Sequence, residues 1–156
     1  MAAAFTNVWI FYEIAHESYG HMQEIQKSLV RPKPNGEPGY ILSLDPKKQS
    51  FKAALTAIVF AGVYLEALLH LLMVEKRGES FARSNDKKSC KDKLLLLGCT
   101  DSAILDASEH YRQIRRAVVH EKAHFDNGPD RTAQVEAGHA IELIEQINVA
   151  MSVSRG

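Results

Sequence analysis

The sequence predicts an all-α protein, an up-and-down bundle of four long helices and one short helix. Apolar residues recur at three- and four-residue steps along almost the whole chain, which is the period of an amphipathic helix. No stretch shows a convincing β-strand alternation, and the short connections favour antiparallel neighbours. A chain of 156 residues can bury one core but is short for two. Residues 1–156 are therefore expected to form a single domain.

The first two long helices are separated by a segment rich in proline and glycine. The first helix is expected from about Phe5 to about Val30. It ends at RPKPNGEPGY, where three prolines and two glycines prevent the helix from continuing. The second helix is expected to begin near Asp45 or Ser50 and to end near Gly78.

The second helix contains the most apolar segment, FKAALTAIVFAGVYLEALLHLLMV, which is about as long as a membrane span. Glu66 and His70 interrupt it on adjacent turns, and a charge at that depth would be costly in lipid, so we interpret it as a buried bundle helix. Being four residues apart, these two side chains could bond to each other or to a backbone group. Gly62 lowers the helix propensity, which is tolerable where a neighbouring helix packs close.

The remaining helices follow shorter loops. A polar loop, SNDKKS, precedes a short helix around KDKLLLL, and Gly98 is its expected stop. Thr100 or Asp101 caps the next long helix, ILDASEHYRQIRRAVVHE. FDNGPD breaks that helix, and a final amphipathic helix is expected from about Arg131 to Val153.

A net charge of zero means that the molecule as a whole does not attract polyanions such as nucleic acid. Nineteen basic and nineteen acidic residues cancel, so any site for a polyanion must be local. Cys90 and Cys99 have neither metal-type nor redox-type spacing, which favours a reduced, cytoplasmic setting. The first residues lack the basic start of a signal peptide. We expect a cytoplasmic protein with no membrane partner.

The fourth helix concentrates basic side chains on one side. Helical geometry places Tyr111, Ile114 and Val118 on the core face, with Arg115 on the flank of that face. The opposite side carries Arg112, Arg116, His120 and His124, and from His110 to His124 the fixed charges have an excess of three positives. Guanidinium groups beside an imidazole suit a phosphodiester, because Arg grips phosphate oxygens and His exchanges protons near neutral pH. We expect RNA contacts from Arg112, Arg116, Lys122 and His124.

Two segments resemble the HEPN domains, which are small α-helical bundles found in toxin–antitoxin pairs and antiviral defence systems. YRQIRRAVVH, residues 111–120, is similar to the Arg-x4-6-His signature of that family, and it lies near the end of a late helix. Residues 50–72 are similar to the apolar second helix of the family, with its internal glutamate. Together with the following amphipathic helix, the resemblance covers about two thirds of the chain.

The resemblance implies a metal-independent endoribonuclease with no cofactor. The ribose 2′-hydroxyl would attack the adjacent phosphate, with His120 transferring protons and Arg115 stabilising the phosphate charge. Family members dimerise around a shared cleft, so a homodimer is expected, and a nucleotidyltransferase-like antitoxin is an expected kind of partner. Arg116 stands where active members often have a small polar residue, which leaves a non-catalytic interaction, nucleotide-binding or RNA-binding module as the alternative.

Two metal-binding patterns compete with this interpretation. His120, Glu121 and His124 form His-Glu-x-x-His, the zinc motif of metalloproteases, although Lys122 and the break at FDNGP are atypical of it. The pattern Glu-x-x-His occurs twice, and with two further carboxylates it would form a di-iron site of the ferritin-like type. The residues of that set are Glu13, His16, Glu66, Glu109, Glu136 and His139.

Overall fold

The computed structural model describes residues 3–119 and 133–153, with side chains described from Asn7 onward. Within these ranges the chain forms six α-helices and one small antiparallel hairpin. The helices are α1 Ala3–Leu29, α2 Gln49–Arg77, α3 Glu79–Ser84, α4 Cys90–Leu96, α5 Ser102–Val119 and α6 Ala133–Ala150, and the strands are β1 Val30–Pro32 and β2 Tyr40–Leu42. The predicted all-α bundle is confirmed, including its four long helices and the short helix α4.

Two short elements differ from the prediction. The expectation of no strands was wrong at the hairpin, where Val30 pairs with Leu42. Both strands have three residues and are fully exposed, so they carry no alternation of buried and exposed positions that a sequence pattern could show. The helix α3 was also missed, because Gly78, at φ 87°, ends α2 as predicted and the chain resumes a helical conformation at the next residue.

Aspartate side chains accept hydrogen bonds from the first turns of α2 and α5, the two helices for which the sequence left two possible starts. The residue at the N-cap position of α2 is Lys48, which makes no side-chain cap. The Asp45 carboxylate accepts hydrogen bonds from the backbone N–H of Ser50 at 2.9 Å and from its hydroxyl at 3.0 Å. The Asp101 carboxylate accepts from the backbone N–H of Ala103 at 2.9 Å at the start of α5. The bonds from the backbone N–H groups of Ser50 and Ala103 satisfy donors that have no partner within their own helix.

The helix α2 forms the centre of the core. Its side chains Ile58, Tyr64, Leu68 and Met73 are fully buried, and they meet Leu143, Ile144 and Ile147 of α6 in one apolar cluster. By length and composition α2 could span a membrane, but half of its most apolar window is buried inside the protein. The apolar character of α2 is thus used for packing against the other helices.

Two polar contacts fix the direction of α2 relative to α6. The Gln134 side chain donates to the Ser50 hydroxyl at 3.2 Å, and the Tyr64 hydroxyl donates to Asn148 Oδ1 at 2.6 Å. Both contacts join residues that are 84 positions apart. Because the separation is the same at both ends, α2 and α6 run in the same direction and in register.

Candidate nucleic-acid interface

A cleft of about 690 Å³ opens between α2, α5 and the segment that leads into α4. Its charged lining residues are six basic side chains and two acidic ones, in a protein whose formal net charge is zero. The basic residues are Lys87, Lys88, Lys93, Arg112, Arg115 and Arg116, and the acidic residues are Glu66 and Asp86. A concave surface with this imbalance attracts anions far more strongly than the neutral whole would.

The helix α5 divides into two faces as predicted. Tyr111 is buried and its hydroxyl donates to the Ile58 carbonyl at 2.5 Å, while Ile114 and Val118 pack against the core. Arg112 and Arg116 are exposed on the other side. The anchoring of Tyr111 in the core sets the rotation of α5, and this rotation turns the arginines toward the cleft.

Gly62 allows α5 to approach α2 closely at the wall of the cleft. A Cβ atom at this position would lie 2.5 Å from the Arg115 Cδ and Nε atoms and 2.5 Å from the Tyr111 hydroxyl oxygen. Such distances are far below van der Waals contact, so only a glycine fits here without displacing those side chains. The expectation that a neighbouring helix packs close at Gly62 is confirmed.

Arg115 is held by an ion pair that crosses from α5 to α2. Its Nη1 atom donates to Glu66 Oε1 at 2.5 Å, and the two side chains are 27% and 62% exposed. The Nε atom of Arg115 is buried and has no hydrogen-bond partner in the described part of the chain. The ion pair therefore holds the guanidinium group at the cleft wall. Glu66 occupies only one of its N–H donors.

Glu66 and His70 do not bond to each other, which was one of the two possibilities that their spacing left open. Glu66 bonds to Arg115, and His70 Nδ1 lies 3.1 Å from Asp86 Oδ1. Both partners come from elements distant in sequence, α5 and the segment after α3. The four-residue spacing of Glu66 and His70 on one helix could not show that partners from other elements would bond to them instead.

Two other ionisable groups of the cleft wall are unsuited to proton transfer near neutral pH. Burial raises the pKa of Cys90 to about 12, and it also raises the pKa of Tyr111 well above its ordinary value. Both groups stay protonated in neutral solution, so Cys90 has little thiolate character. A proton-transfer group for this cleft has to come from another residue.

The chain matches no family model, no curated protein and no solved structure. The chemistry of the cleft is thus judged from its own residues and from the local resemblance of YRQIRRAVVH and residues 50–72.

Several predicted site residues lie outside the part of the chain that the structure describes. They are His120, Glu121, Lys122 and His124, so the histidine of Arg-x4-His and the whole of His-Glu-x-x-His belong to that group. Val119 is the last described residue of α5, and it lines the cleft. His120 is the next residue in the chain after a described wall residue.

The residues of the di-iron pattern have separate partners. His16 Nε2 lies 2.8 Å from Glu145 Oε1, Glu66 bonds to Arg115, and Glu109 accepts from Arg112 at 3.0 Å. Glu136 and His139 do lie together, but their companion is His110. The structure does not assemble the six residues into one site.

The loop before α4 contributes charges to the cleft that were not predicted from the sequence. Lys87 and Lys88 lie in the segment SNDKKS, which was described only as a polar loop, and Lys93 belongs to α4. The adjacent lysines were a visible signal, although nothing in the sequence indicates that this loop faces α5. The packing of α4 against α5 brings these charges to the arginines.

Proposed function

We propose that the protein is an HEPN-like endoribonuclease that binds RNA in the basic cleft and cleaves it with Arg115 and His120. The observation that carries the proposal is the cleft itself, where five further basic side chains line the same wall as Arg115 in a chain of zero net charge. Phosphate groups are the ligands that clustered Arg and Lys side chains bind most readily. The Arg-x4-His resemblance adds an imidazole immediately after the cleft residue Val119.

The proposed reaction needs one charge-stabilising group and proton transfer at two oxygens. The 2′-oxygen attacks phosphorus, the bond from phosphorus to the 5′-oxygen breaks, and the product is a 2′,3′-cyclic phosphate. One group removes the proton of the 2′-hydroxyl and another protonates the leaving 5′-oxygen, and a homodimer would supply a His120 from each chain. Arg115 would stabilise the added negative charge on the phosphate oxygens, using donors that Glu66 does not occupy.

The other basic residues would hold the flanking phosphates. Arg112, Arg116, Lys87 and Lys88 are exposed and line the cleft, which suits contacts with a backbone that passes Arg115 on both sides. Lys122 and His124 are proposed to extend the same binding surface beyond Val119. The need for a 2′-hydroxyl makes RNA rather than DNA the substrate.

A cleavage assay in EDTA tests the proposal. Wild-type protein is expected to cleave RNA without a metal ion and to leave cyclic phosphate ends, whereas Arg115→Ala and His120→Ala abolish cleavage. Matched controls are Arg83→Ala on α3, whose side chain pairs with Glu79 outside the cleft, and His21→Ala, which removes an exposed imidazole on α1. Cleavage that is lost on chelation, or that persists in His120→Ala, would overturn the proposal.

A second candidate function is supported by the Arg115–Glu66 ion pair. A carboxylate already bonds to the guanidinium that cleavage would use, and Arg116 replaces the small polar residue of active relatives. These two features favour a module that binds RNA, a nucleotide or a protein partner without cleaving. RNA that stays intact while binding depends on Lys87 and Lys88 would support this second function over the first.

The proposed function also implies what the protein assembles with and where in the cell it acts. A homodimer with the two clefts facing each other and a nucleotidyltransferase-like antitoxin are the proposed assemblies, in the cytoplasm. Cys90 and Cys99 are both free, which suits a reducing compartment. Light scattering of the purified protein, alone and mixed with a candidate antitoxin, measures both assemblies directly.

A further inference from the structure

A second cavity, of about 370 Å³, lies between α5 and α6 and contains a cluster of metal-binding side chains. His110 Nε2 lies 2.8 Å from Glu136 Oε2, and His139 Nδ1 lies 3.5 Å from the same oxygen. The three ligand atoms all lie within 4.8 Å of one another. One helix contributes the first histidine, and the other contributes the Glu-x-x-His pair.

The burial of Glu136 distinguishes this cluster from an ordinary surface pair. Its side chain is 4% exposed, whereas His110 and His139 are 49% and 56% exposed at the mouth of the cavity. A carboxylate that is removed from water costs free energy unless a cation or hydrogen-bond donors compensate its charge. Both imidazoles lie near the same carboxylate oxygen, so the three groups converge on one point of the cavity wall.

We propose that His110, Glu136 and His139 bind a divalent first-row transition metal ion of the Zn²⁺ type. Two imidazoles and one carboxylate are a donor set of such ions, whereas Mg²⁺ and Ca²⁺ prefer shells of oxygen atoms. Ligand bonds of 2.0–2.1 Å in a tetrahedron place ligand atoms about 3.3 Å apart. Two of the three distances between ligand atoms, 2.8 Å and 3.5 Å, bracket that value, and the third is at most 4.8 Å, so the side chains would close in around the ion.

The proposed ion would join α5 to α6 and keep a position open toward the cavity. Glu142, three residues after His139, also lines the cavity and could approach that position, as could water. Tyr111 lines both this cavity and the basic cleft, so the metal site and the proposed RNA site lie on two sides of the same helix. The metal site does not depend on the proposed ribonuclease activity, which is expected to persist in EDTA.

Binding of Zn²⁺ to untagged, chelator-treated protein tests the proposal by calorimetry, with Co²⁺ as a spectroscopic probe. Wild-type protein is expected to bind one Zn²⁺ per chain at this site, to show visible Co²⁺ absorption, and to gain thermal stability on binding. His139→Ala and His110→Ala are expected to weaken binding by at least about tenfold and to lose the Co²⁺ absorption. Because both side chains are half exposed, these variants are expected to fold.

Two controls separate this site from other histidines. His16→Ala removes a His–Glu contact of the same 2.8 Å length, which no third metal ligand joins among the described residues, and this variant is expected to bind Zn²⁺ like the wild type. The double variant His120→Ala/His124→Ala removes His-Glu-x-x-His and is also expected to retain the site. Absence of stoichiometric Zn²⁺ binding, binding that survives in His110→Ala and His139→Ala, or binding that is lost in the double variant would overturn the proposal.

Discussion

Arg115 of α5 bonds to Glu66 of α2 at 2.5 Å, although the two residues are 49 positions apart in the chain. The glutamate is 62% exposed, and an ion pair so accessible to water contributes only about 0–1 kcal/mol to folding. Its main physical effect is therefore on the position and charge of the guanidinium. The pair orients Arg115 at the cleft and at the same time offsets one positive charge of the proposed RNA site.

Glu66→Gln is expected to strengthen RNA binding by about two- to fivefold at low salt, because a negative charge leaves the cleft while the side chain keeps its shape. The rate of cleavage is expected to fall, since the amide holds Arg115 less firmly than the carboxylate. Fluorescence anisotropy with labelled RNA measures the first effect, and single-turnover cleavage measures the second.

The control for this variant is Glu79→Gln on α3. Its carboxylate is 65% exposed and pairs with Arg83, so the change removes a comparable ion pair away from the cleft. RNA affinity should be unchanged in this control. Weaker binding in Glu66→Gln would contradict the assignment of the cleft as the RNA site.

The salt dependence of RNA binding should identify the loop before α4 as part of the interface. For single-stranded RNA, each phosphate contact contributes a slope of about 0.7 to the plot of log affinity against log salt. Lys87→Ala/Lys88→Ala is therefore expected to reduce the slope by about 1.4. Lys47→Ala/Lys48→Ala, a second adjacent exposed pair, makes the same charge change outside the cleft lining and should leave the slope unchanged.

Gly62→Ala is expected to destabilise the protein by up to about 2 kcal/mol. Overpacking at a tight contact costs about 1–3 kcal/mol, and the new Cβ would meet Arg115 and the buried Tyr111 hydroxyl at 2.5 Å. Alanine regains roughly 1 kcal/mol of helix propensity, which offsets only part of that cost. Urea denaturation measures the difference in the free energy of unfolding.

Gly20→Ala is the matched control for this helix position. Gly20 lies within α1, and a Cβ there would meet no atom of the described residues within 4 Å, apart from its chain neighbours and the backbone of its own helix. The higher helix propensity of alanine should then not be offset by a clash, and the variant should be more stable than the wild type by up to about 1 kcal/mol. Equal effects at the two glycines would refute the close approach of α5 to Gly62.

The start of α2 should make folding stability depend on acid pH. Hydrogen bonds from Ser50, chiefly from its backbone N–H, lower the pKa of Asp45 below 3.8 in the folded protein. A lowered folded pKa means that the stabilisation is present above 3.8 and is lost as the pH falls through the folded pKa. Asp45→Asn is expected to unfold more easily than the wild type at pH 7, and the difference should shrink as the pH falls below 3.8. Thermal unfolding from neutral to acid pH tests this, and a difference that is constant with pH would contradict it.

Helix positions were predictable because they depend on neighbouring residues. The prolines and glycines after Val30, the cap at Asp101 and the stops at Gly78 and Gly98 all act over a few positions. The two faces of α5 were predictable for the same reason, since Tyr111 and Arg112 differ in their position around one helix. The exposed hairpin and the six-residue α3 were missed because neither has a periodic apolar pattern.

Which residues meet in the basic cleft and in the proposed metal site could not be predicted from neighbouring residues in the sequence. Arg115 meets Glu66 across 49 positions, and His110 meets Glu136 across 26, so these contacts exist only after α5 has packed against α2 and α6. Local periodicity determines which residues of a helix face inward, because it follows from the geometry of one helix. Which side chain of another helix a residue contacts depends on the distance and the angle at which the two helices pack. For α2 and α5, the small residue Gly62 and the buried side chain of Tyr111 set that packing.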